Sequence, residues 1–393
     1  MNRKTVKLGD ICEIQPGNSI PVKEKEVLYR NVNEGLPYVA TKDVGFDGVI
    51  DYENGVRIPP NHSSKFKLSK KNSILVCGEG GSAGRKIAFS HKDCHFVNKL
   101  FSIRPGSKMA SKYVYYYTLS NDFQNQFKKA MHGLIGGVSL LKINSFQITY
   151  PSLKEQKAIV AKLDAAFAEI DKAIESADAK EAETEKLKSS LLANELNIDG
   201  SEGVAVMWKT VKLGDVATVI AGQSPKGESY NKEANGTPFY QGKKDYGDKY
   251  LNPPTVWTTT VTKLAKKNDI LMSVRAPIGA LNFANQTACI GRGLAAIRAS
   301  SQISNDYLFY ALLQLSSKLV GSSGAIFNSI NKKQIEDITF ILPPLEEQKA
   351  IVAKLDAAFA EVETVKQSVG RTKTNYAALK SAILAQELRS EAA

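Results

Sequence analysis

Cysteine, histidine and long apolar runs are all scarce in this chain. Its four cysteines, Cys12, Cys77, Cys94 and Cys289, are scattered and form no Cys-x-x-Cys pair. That usage excludes a disulfide framework and fits reduced, mostly buried thiols in a cytoplasmic protein. Histidine is equally sparse, with four in all. His91, Cys94 and His95 make the one dense cluster of metal-ligand types, and no second Cys or His pair completes a zinc site, so no metal is expected. No stretch approaches the roughly 18 apolar residues of a membrane span, which excludes a transmembrane helix. No apolar run follows the basic start Met1-Asn-Arg-Lys-Thr-Val-Lys7, so no signal peptide is expected.

Catalytic machinery is missing as well. Gly80-Gly-Ser-Ala-Gly-Arg85 lacks the Lys-Ser/Thr pair that holds phosphate and magnesium in a phosphate-binding loop. Asn252-Pro-Pro-Thr255 resembles the Asn-Pro-Pro-aromatic motif of adenine methyltransferases. Thr255 stands where an aromatic ring must stack on a flipped base, and no Gly-rich cofactor loop lies upstream. A Pro-Pro turn before a strand accounts for the motif. No pattern supports Ser-His or Cys-His catalysis. The expectation is a protein without a catalytic site or cofactor of its own.

What is present is charge in a particular place. The 393 residues carry 52 Lys and Arg against 40 Asp and Glu, a net charge of +12. Residues 1–150 hold +10 and residues 210–342 hold +6, whereas 151–209 hold −4 and 343–393 are neutral. All the excess positive charge therefore lies in two blocks. Basic blocks beside neutral or acidic segments point to a polyanion partner for the former and a protein partner for the latter.

A long internal repeat explains the alternation. The run Glu155-Gln-Lys-Ala-Ile-Val-Ala-Lys-Leu-Asp-Ala-Ala-Phe-Ala-Glu169 recurs unchanged at Glu347–Glu361. Leu187–Leu196 returns with few changes as Leu379–Leu388, and Lys4-Thr-Val-Lys-Leu-Gly-Asp10 returns identically as Lys209–Asp215. A repeat of nearly 200 residues is far too long for a solenoid, whose periods run to about 50. A whole domain and its connector have been duplicated. Connectors held constant while the blocks between them diverge imply one shared structural task and two recognition tasks.

The connectors read as long helices. Pro151 and Pro343-Pro344 stop what precedes them, and Ser152 with Glu155 has capping-box spacing. Apolar residues then recur every three or four positions: Ile159, Leu163, Phe167, Ile170, Ile174, Leu187 and Leu191 in the first copy. The second has Ile351, Leu355, Phe359, Val362, Val365, Val369, Tyr376, Leu379 and Ile383. Each seam must be buried, and the nearest match is the other copy. An antiparallel pair would carry one globular domain at each end with pseudo-twofold symmetry. A parallel pair, or pairing with helices of another protein, also satisfies the seams. Asn197, Asp199 and Gly200 end the first helix, and 197–207 form a polar linker.

Each basic block mixes α and β. Strands are expected at Ser73–Cys77, Phe101–Ile103, Asp269–Ser273 and Leu294–Ile297, and helices at Ser111–Lys129 and Ser304–Leu319. A Gly-rich loop closes each block at Gly133–Gly137 and Gly321–Gly324. The same order of elements in both blocks implies one fold with two surfaces. The domains are thus 1–150, a helix and linker at 151–208, 209–342, and a helix at 343–393.

Taken together, the pattern resembles the specificity subunit of type I restriction–modification systems. The duplicated Thr-Val-Lys-Leu-Gly-Asp openings, Gly222-Gln-Ser-Pro-Lys226, Arg275-Ala-Pro-Ile-Gly279 and the Leu342–Leu355 run carry the resemblance, which covers essentially the whole chain. It implies two target-recognition domains, each reading half of a split double-stranded DNA site. It implies helices that pair antiparallel and dock two methyltransferase subunits and the restriction–translocase subunits. S-adenosylmethionine, ATP and magnesium would belong to those partners. In the first block Gln15-Pro-Gly-Asn-Ser19 and Gly80-Gly-Ser-Ala-Gly84 depart from the commoner pattern of the family.

Residues able to touch phosphates and base edges from loops are Lys42, Arg85, Asn98, Lys99 and His132 in the first block. In the second they are Gln223, Lys226, Tyr230, Lys243, Arg275, Arg292 and Asn328. Glu79 and Asn98 stand where Arg275 and Arg292 stand in the second block, which is what different base preferences would look like; loops that merely vary freely on the surface are the alternative. The helices would set the spacer between half-sites. The rival readings are a coiled-coil scaffold with basic end domains and the specificity portion of a self-contained modification enzyme. Salt-sensitive, sequence-selective DNA binding separates the first from a DNA reader, and methyl transfer by the chain alone would mark the second.

Overall fold

The computed structural model describes residues 3–132, 136–196, 208–321 and 329–388. The linker 197–207 and parts of both Gly-rich loops, 133–135 and 322–324, lie outside the described residues. The chain divides into two compact units, Met1–Ser176 with Arg371–Ala393, and Ala177–Gly370. Each unit therefore holds one globular block, part of its own long helix and part of the other.

In the first unit an antiparallel sheet runs in the order Cys12–Pro16, Leu100–Pro105, Ile74–Cys77, Ile87–Phe89. A second sheet has the order Arg57–Ile58, Leu36–Val39, Cys94–Phe96, Leu68–Ser69, its middle pair parallel. Ile74-Leu-Val-Cys77 is buried throughout because it serves two cores at once. Alternation along the strand sends Ile74 and Val76 into the core beneath the helices, and Leu75 and Cys77 into the core shared with the second sheet. Lys4–Lys7 pairs antiparallel with Gln147–Tyr150, so the start of the block is tied to its end.

The second unit repeats this plan. Its antiparallel sheet runs Ala217–Ala221, Leu294–Ala299, Ile270–Ser273, Leu281–Phe283. The mixed sheet contains Thr237–Tyr240 parallel to Ala288–Ile290, and Lys209–Lys212 closes on Thr339–Leu342. The identical openings of the two blocks are explained by this closure. Leu8 and Leu213 are fully buried, and Val6 faces Ile148 as Val211 faces Phe340.

The helical stretch expected at Ser111–Lys129 is two helices, Ser111–Leu119 and Asn121–Ala130. Ser120 breaks it with an extended backbone and caps the second piece by accepting from the Phe123 amide at 3.4 Å. The second block keeps a single helix, Asn305–Gly321.

The connectors form helices of 44 residues each, Leu153–Leu196 and Leu345–Leu388. The capping box is present: the Ser152 amide donates to Glu155 Oε2 at 3.0 Å and the Glu155 amide to Ser152 Oγ at 3.4 Å. The helices pair antiparallel within each unit. In the first, Leu163 clusters with Leu384, and Lys162 meets Glu387 at 3.5 Å. In the second, Leu192 and Leu196 pack with Ile351 and Leu355, and Lys354 meets Glu195 at 3.2 Å. The seam departs from expectation at three points. Leu187, Val365 and Leu379 are exposed, and Leu192 and Leu384 are buried in their vicinity. Ten residues separate Leu187 from the buried Ala177, and at about 100° per residue that leaves it about 80° off the seam.

Candidate nucleic-acid interface

Three backbone segments meet at one edge of each block, and they carry most of the candidate residues. In the second block, the Gly222 amide donates to the Leu294 carbonyl and the Gln223 amide to the Ile290 carbonyl, both at 2.9 Å. The Val274 amide donates to the Gly293 carbonyl at 3.0 Å. The loop after the first strand, the loop Val274–Gly279 and the turn Gly291–Gly293 are thus stitched together. The first block makes the same crossings, with Gly17 to Leu100, Asn18 to Phe96 and Gly78 to Lys99. Close approach dictates the glycines: a Cβ on Gly17 would lie 2.0 Å from the Phe96 carbonyl oxygen, and one on Gly222 would lie 2.2 Å from that of Gly291.

This stitching fixes the correspondence between blocks. Gly78 matches Val274, so Glu79 matches Arg275; the two also make the same isolated bridge, to Gly137 and Ser329 respectively. The turns align through the Leu100 and Leu294 amides, which places Asn98 opposite Arg292. Unlike side chains therefore stand on like backbones.

In the second block Gln223, Arg275 and Arg292 converge and are exposed. Ser224 Oγ accepts from the Arg292 amide at 3.2 Å, and Thr262 donates to the Gln223 carbonyl. Lys226 is exposed at the end of the same loop, and Lys243 is exposed on the single turn Lys243–Asp245. Tyr230 is half-buried. Its hydroxyl donates to the Pro225 carbonyl at 2.9 Å and its ring stacks on Phe239 with centroids 4.8 Å apart, so it braces the loop that carries Gln223 and Lys226. Asn328 lies outside the described residues.

In the first block Asn98, Lys99 and His132 are exposed at the equivalent edge. Lys99 Nζ is 3.8 Å from Glu79, and His132 and Glu79 both bridge to Gly137. Lys42 and Arg85 form another group. Lys42 lies on the turn Thr41–Asp43, whose Thr41 carbonyl accepts from Lys86 Nζ at 3.0 Å, and Arg85 is stacked over Phe46 at 5.0 Å.

The residues set aside in the sequence have structural partners. His95 is fully buried between the Ser63 hydroxyl and the Lys67 carbonyl, each 2.9 Å away. Burial pushes the Cys94 thiol up to about 12, which leaves it a poor ligand and nucleophile. Among the described residues no group of three His, Cys, Asp or Glu is arranged to hold a metal. Asn252 holds its turn together, donating to the Tyr246 carbonyl at 2.9 Å. Such a surface can neutralise phosphates and present Gln, Arg, Asn and Lys to base edges.

Comparison with known proteins agrees with this geometry. The family described as the type I restriction modification DNA specificity domain matches residues 2–177 and again 205–369. The chain belongs to this family. Among the specificity proteins, the MjaX specificity subunit of a type I restriction enzyme from Methanocaldococcus jannaschii is 36% identical over 278 residues. That match covers 67% of this chain and spans 64% of the relative's length. The StySPI specificity subunit of Salmonella potsdam is 22% identical across 95% of this chain and 86% of its own. A solved structure concerned with complex assembly and conformational transition of the type I R-M system superposes with a TM-score of 0.80 at 29% identity, covering 99% of this chain and 98% of that one. The HsdS subunit from Thermoanaerobacter tengcongensis follows with a TM-score of 0.54 at 29% identity, covering 99% of this chain and 97% of its own. Among the described residues no helix of this specificity-family chain is long and apolar enough to cross a membrane.

Sequence reasoning missed Asn18, Lys86 and Phe46. Asn18 occupies the position of Gln223, a match readable from Gly17 and Gly222 once both are known to abut a carbonyl. Nothing in the sequence marks Phe46 as exposed rather than core.

Proposed function

We propose that this chain is the DNA sequence-specificity subunit of a type I restriction–modification complex. The block at 1–150 reads one half-site of a split target, the block at 209–342 reads the other, and the segments 151–208 and 343–393 serve as spacer and docking surface. The observation that carries this reading is the pairing of unlike side chains on like backbones, Glu79 with Arg275 and Asn98 with Arg292. One backbone frame with two side-chain sets is what two different half-sites require.

Phosphate contacts from the basic blocks supply affinity, and a few loop side chains supply discrimination, about 1–3 kcal/mol for each good bidentate base contact. The chain has no chemistry of its own. Two methyltransferase subunits bring S-adenosylmethionine, the restriction–translocase subunits bring ATP and magnesium, and the complex works in the cytoplasm. The long helices set the spacer, so four residues inserted near Ala177 change the preferred spacer and leave both half-sites intact.

Methylome mapping in cells expressing the neighbouring methyltransferase with and without this chain tests the reading. A bipartite methylated-adenine motif that appears only with this chain is the expected result. An active, stably assembled methyltransferase that yields no such motif overturns it.

A further inference from the structure

Phe46 is 63% exposed and joins none of the apolar clusters of its block. An isolated surface phenylalanine is unremarkable by itself, but this one is flanked on the ring face by two cations. The Arg85 guanidinium carbon is 5.0 Å from the ring centroid and Lys86 Nζ is 5.2 Å from it. Lys86 is also pinned by its hydrogen bond to the Thr41 carbonyl, beside the exposed Lys42. Among the described residues the Arg85 side chain has, beyond the ring, a long contact of 3.4 Å to the Gly81 carbonyl. An arginine held over an aromatic face loses rotamer freedom and keeps N–H groups available for a phosphate or a base.

The second block is built differently at this place. Val76 pairs with Ile87 as Met272 pairs with Leu281, so Lys86 corresponds to Ala280; the Gly84 and Gly279 amides donate to the matching Cys77 and Ser273 carbonyls, so Gly84 corresponds to Gly279 and Arg85 has no counterpart. The turn that carries Phe46, closed by the Gly45 amide on the Val49 carbonyl, corresponds to the one closed by Gly247 on Tyr250, which holds Asp248 and Lys249. In the second block this turn carries Lys249 and the half-exposed Tyr250 instead, and Lys249 Nζ lies over the Phe283 and Tyr310 rings at 5.8 and 5.9 Å.

We propose that Phe46 is a positioning residue for the first half-site: its exposed ring is the platform that holds Arg85, with Lys86 and Lys42 beside it, ready for DNA. This inference rests on the DNA-specificity reading and adds a residue that touches no base edge itself. The ordering of Arg85 is completed before DNA arrives, so it is not charged against binding.

The test uses the full chain assembled with its methyltransferase partner. Affinity is measured for duplexes carrying the mapped target, the target altered in the first half-site, and the target altered in the second. Phe46→Ala is expected to weaken binding to the intact target roughly three- to thirtyfold, the range of exposed to desolvated cation–π contacts. Discrimination against first-half changes should fall with it, while discrimination against second-half changes persists. Phe46→Trp should restore both, and Phe46→Ala should cost nothing further in an Arg85→Ala background. Unchanged affinity and discrimination in Phe46→Ala overturn the proposal, as does an equal loss at both half-sites or a full extra loss on top of Arg85→Ala. A wild-type complex without any sequence preference is a different result: it sinks the DNA-specificity reading itself.

Discussion

Tyr116 donates its hydroxyl hydrogen to Asp164 at 2.5 Å, tying the first block to the opening turns of its own long helix. Lys112 holds the same carboxylate at 2.7 Å, and the Phe167 ring meets Tyr116 edge-on, centroids 5.4 Å apart. In the second unit Tyr310 donates to Asp356 and meets Phe359 edge-on at 5.3 Å. Burial, then the neighbouring carboxylate, raises both phenols, so each remains a donor across the usable pH range. Tyr116→Phe removes one part-buried hydrogen bond and should cost about 1 kcal/mol. The thermal unfolding of the full chain should shift down by a few degrees, and Tyr310→Phe should do the same. No shift in either would mean that the ring contact alone holds block to helix.

Gln156 and Gln348 repeat another lock and are fully buried. Gln156 Oε1 accepts from the Ala110 amide at 2.9 Å while its Nε2 donates to the Pro151 carbonyl at 3.0 Å. Gln348 does likewise with the Ser304 amide at 2.6 Å and the Pro343 carbonyl at 2.8 Å. Gln156→Leu keeps the volume but strands two backbone groups, which costs about 1–3 kcal/mol. Denaturant titration should show that loss. A neutral outcome would mean that water enters and replaces the amide.

These two locks bear on what the sequence disclosed. The unchanged run Glu155–Glu169 stood out by repetition alone, and its helical spacing was plain. That Gln156, Leu163, Asp164 and Phe167 are the members buried against or bonded to the block depends on Tyr116 and Ala110, which lie about 50 residues earlier and leave no local signal. The similar length and spacing of the two seams pointed to each other as partners but left a parallel pair open. The seam's course beyond Ala177 was not legible, because the stretch from Asp178 to Lys186 offers no apolar residue larger than Ala179 and Ala182 to set the phase. Loop candidates were readable as residue types next to Gly and Pro. Which of them share an edge depended on strand register, and that is why Tyr230 is a brace and Asn18 went unnoticed.

Gly222 offers a way to damage one reading surface and spare the other. A Cβ there would overlap the Gly291 carbonyl oxygen, so Gly222→Ala must displace the loop bearing Gln223 from the turn bearing Arg292. Recognition of the half-site assigned to the second block should be lost while the other half-site is still read. Gly227→Ala, on the same loop but with open space around it, is the control and should leave recognition intact. Methylated-motif mapping of both variants checks this. Unaltered recognition by Gly222→Ala would separate that loop from the reading surface.

His95 is expected to make the first block acid-sensitive. Its ring lies between a carbonyl, which takes the Nδ1 hydrogen, and the Ser63 hydroxyl, which can donate to Nε2; that arrangement fits the neutral ring. Burial lowers its pKa below the ordinary value. In the unfolded chain the imidazole takes up a proton near its usual value of about 6.5, whereas the folded protein resists doing so. Protons therefore favour the unfolded state. The stability held by the neutral ring is complete above about pH 6.5 and declines as the pH falls from there towards the lowered folded value. His95→Gln has no such titration. Urea unfolding at pH 7.5 and 5.5, followed by amide exchange on the strand Cys94–Phe96, should show the wild type losing more protection on acidification than His95→Gln. Equal losses in the two proteins would mean that His95 accepts its proton in the folded state after all, with Ser63 turning its hydroxyl to receive the new N–H.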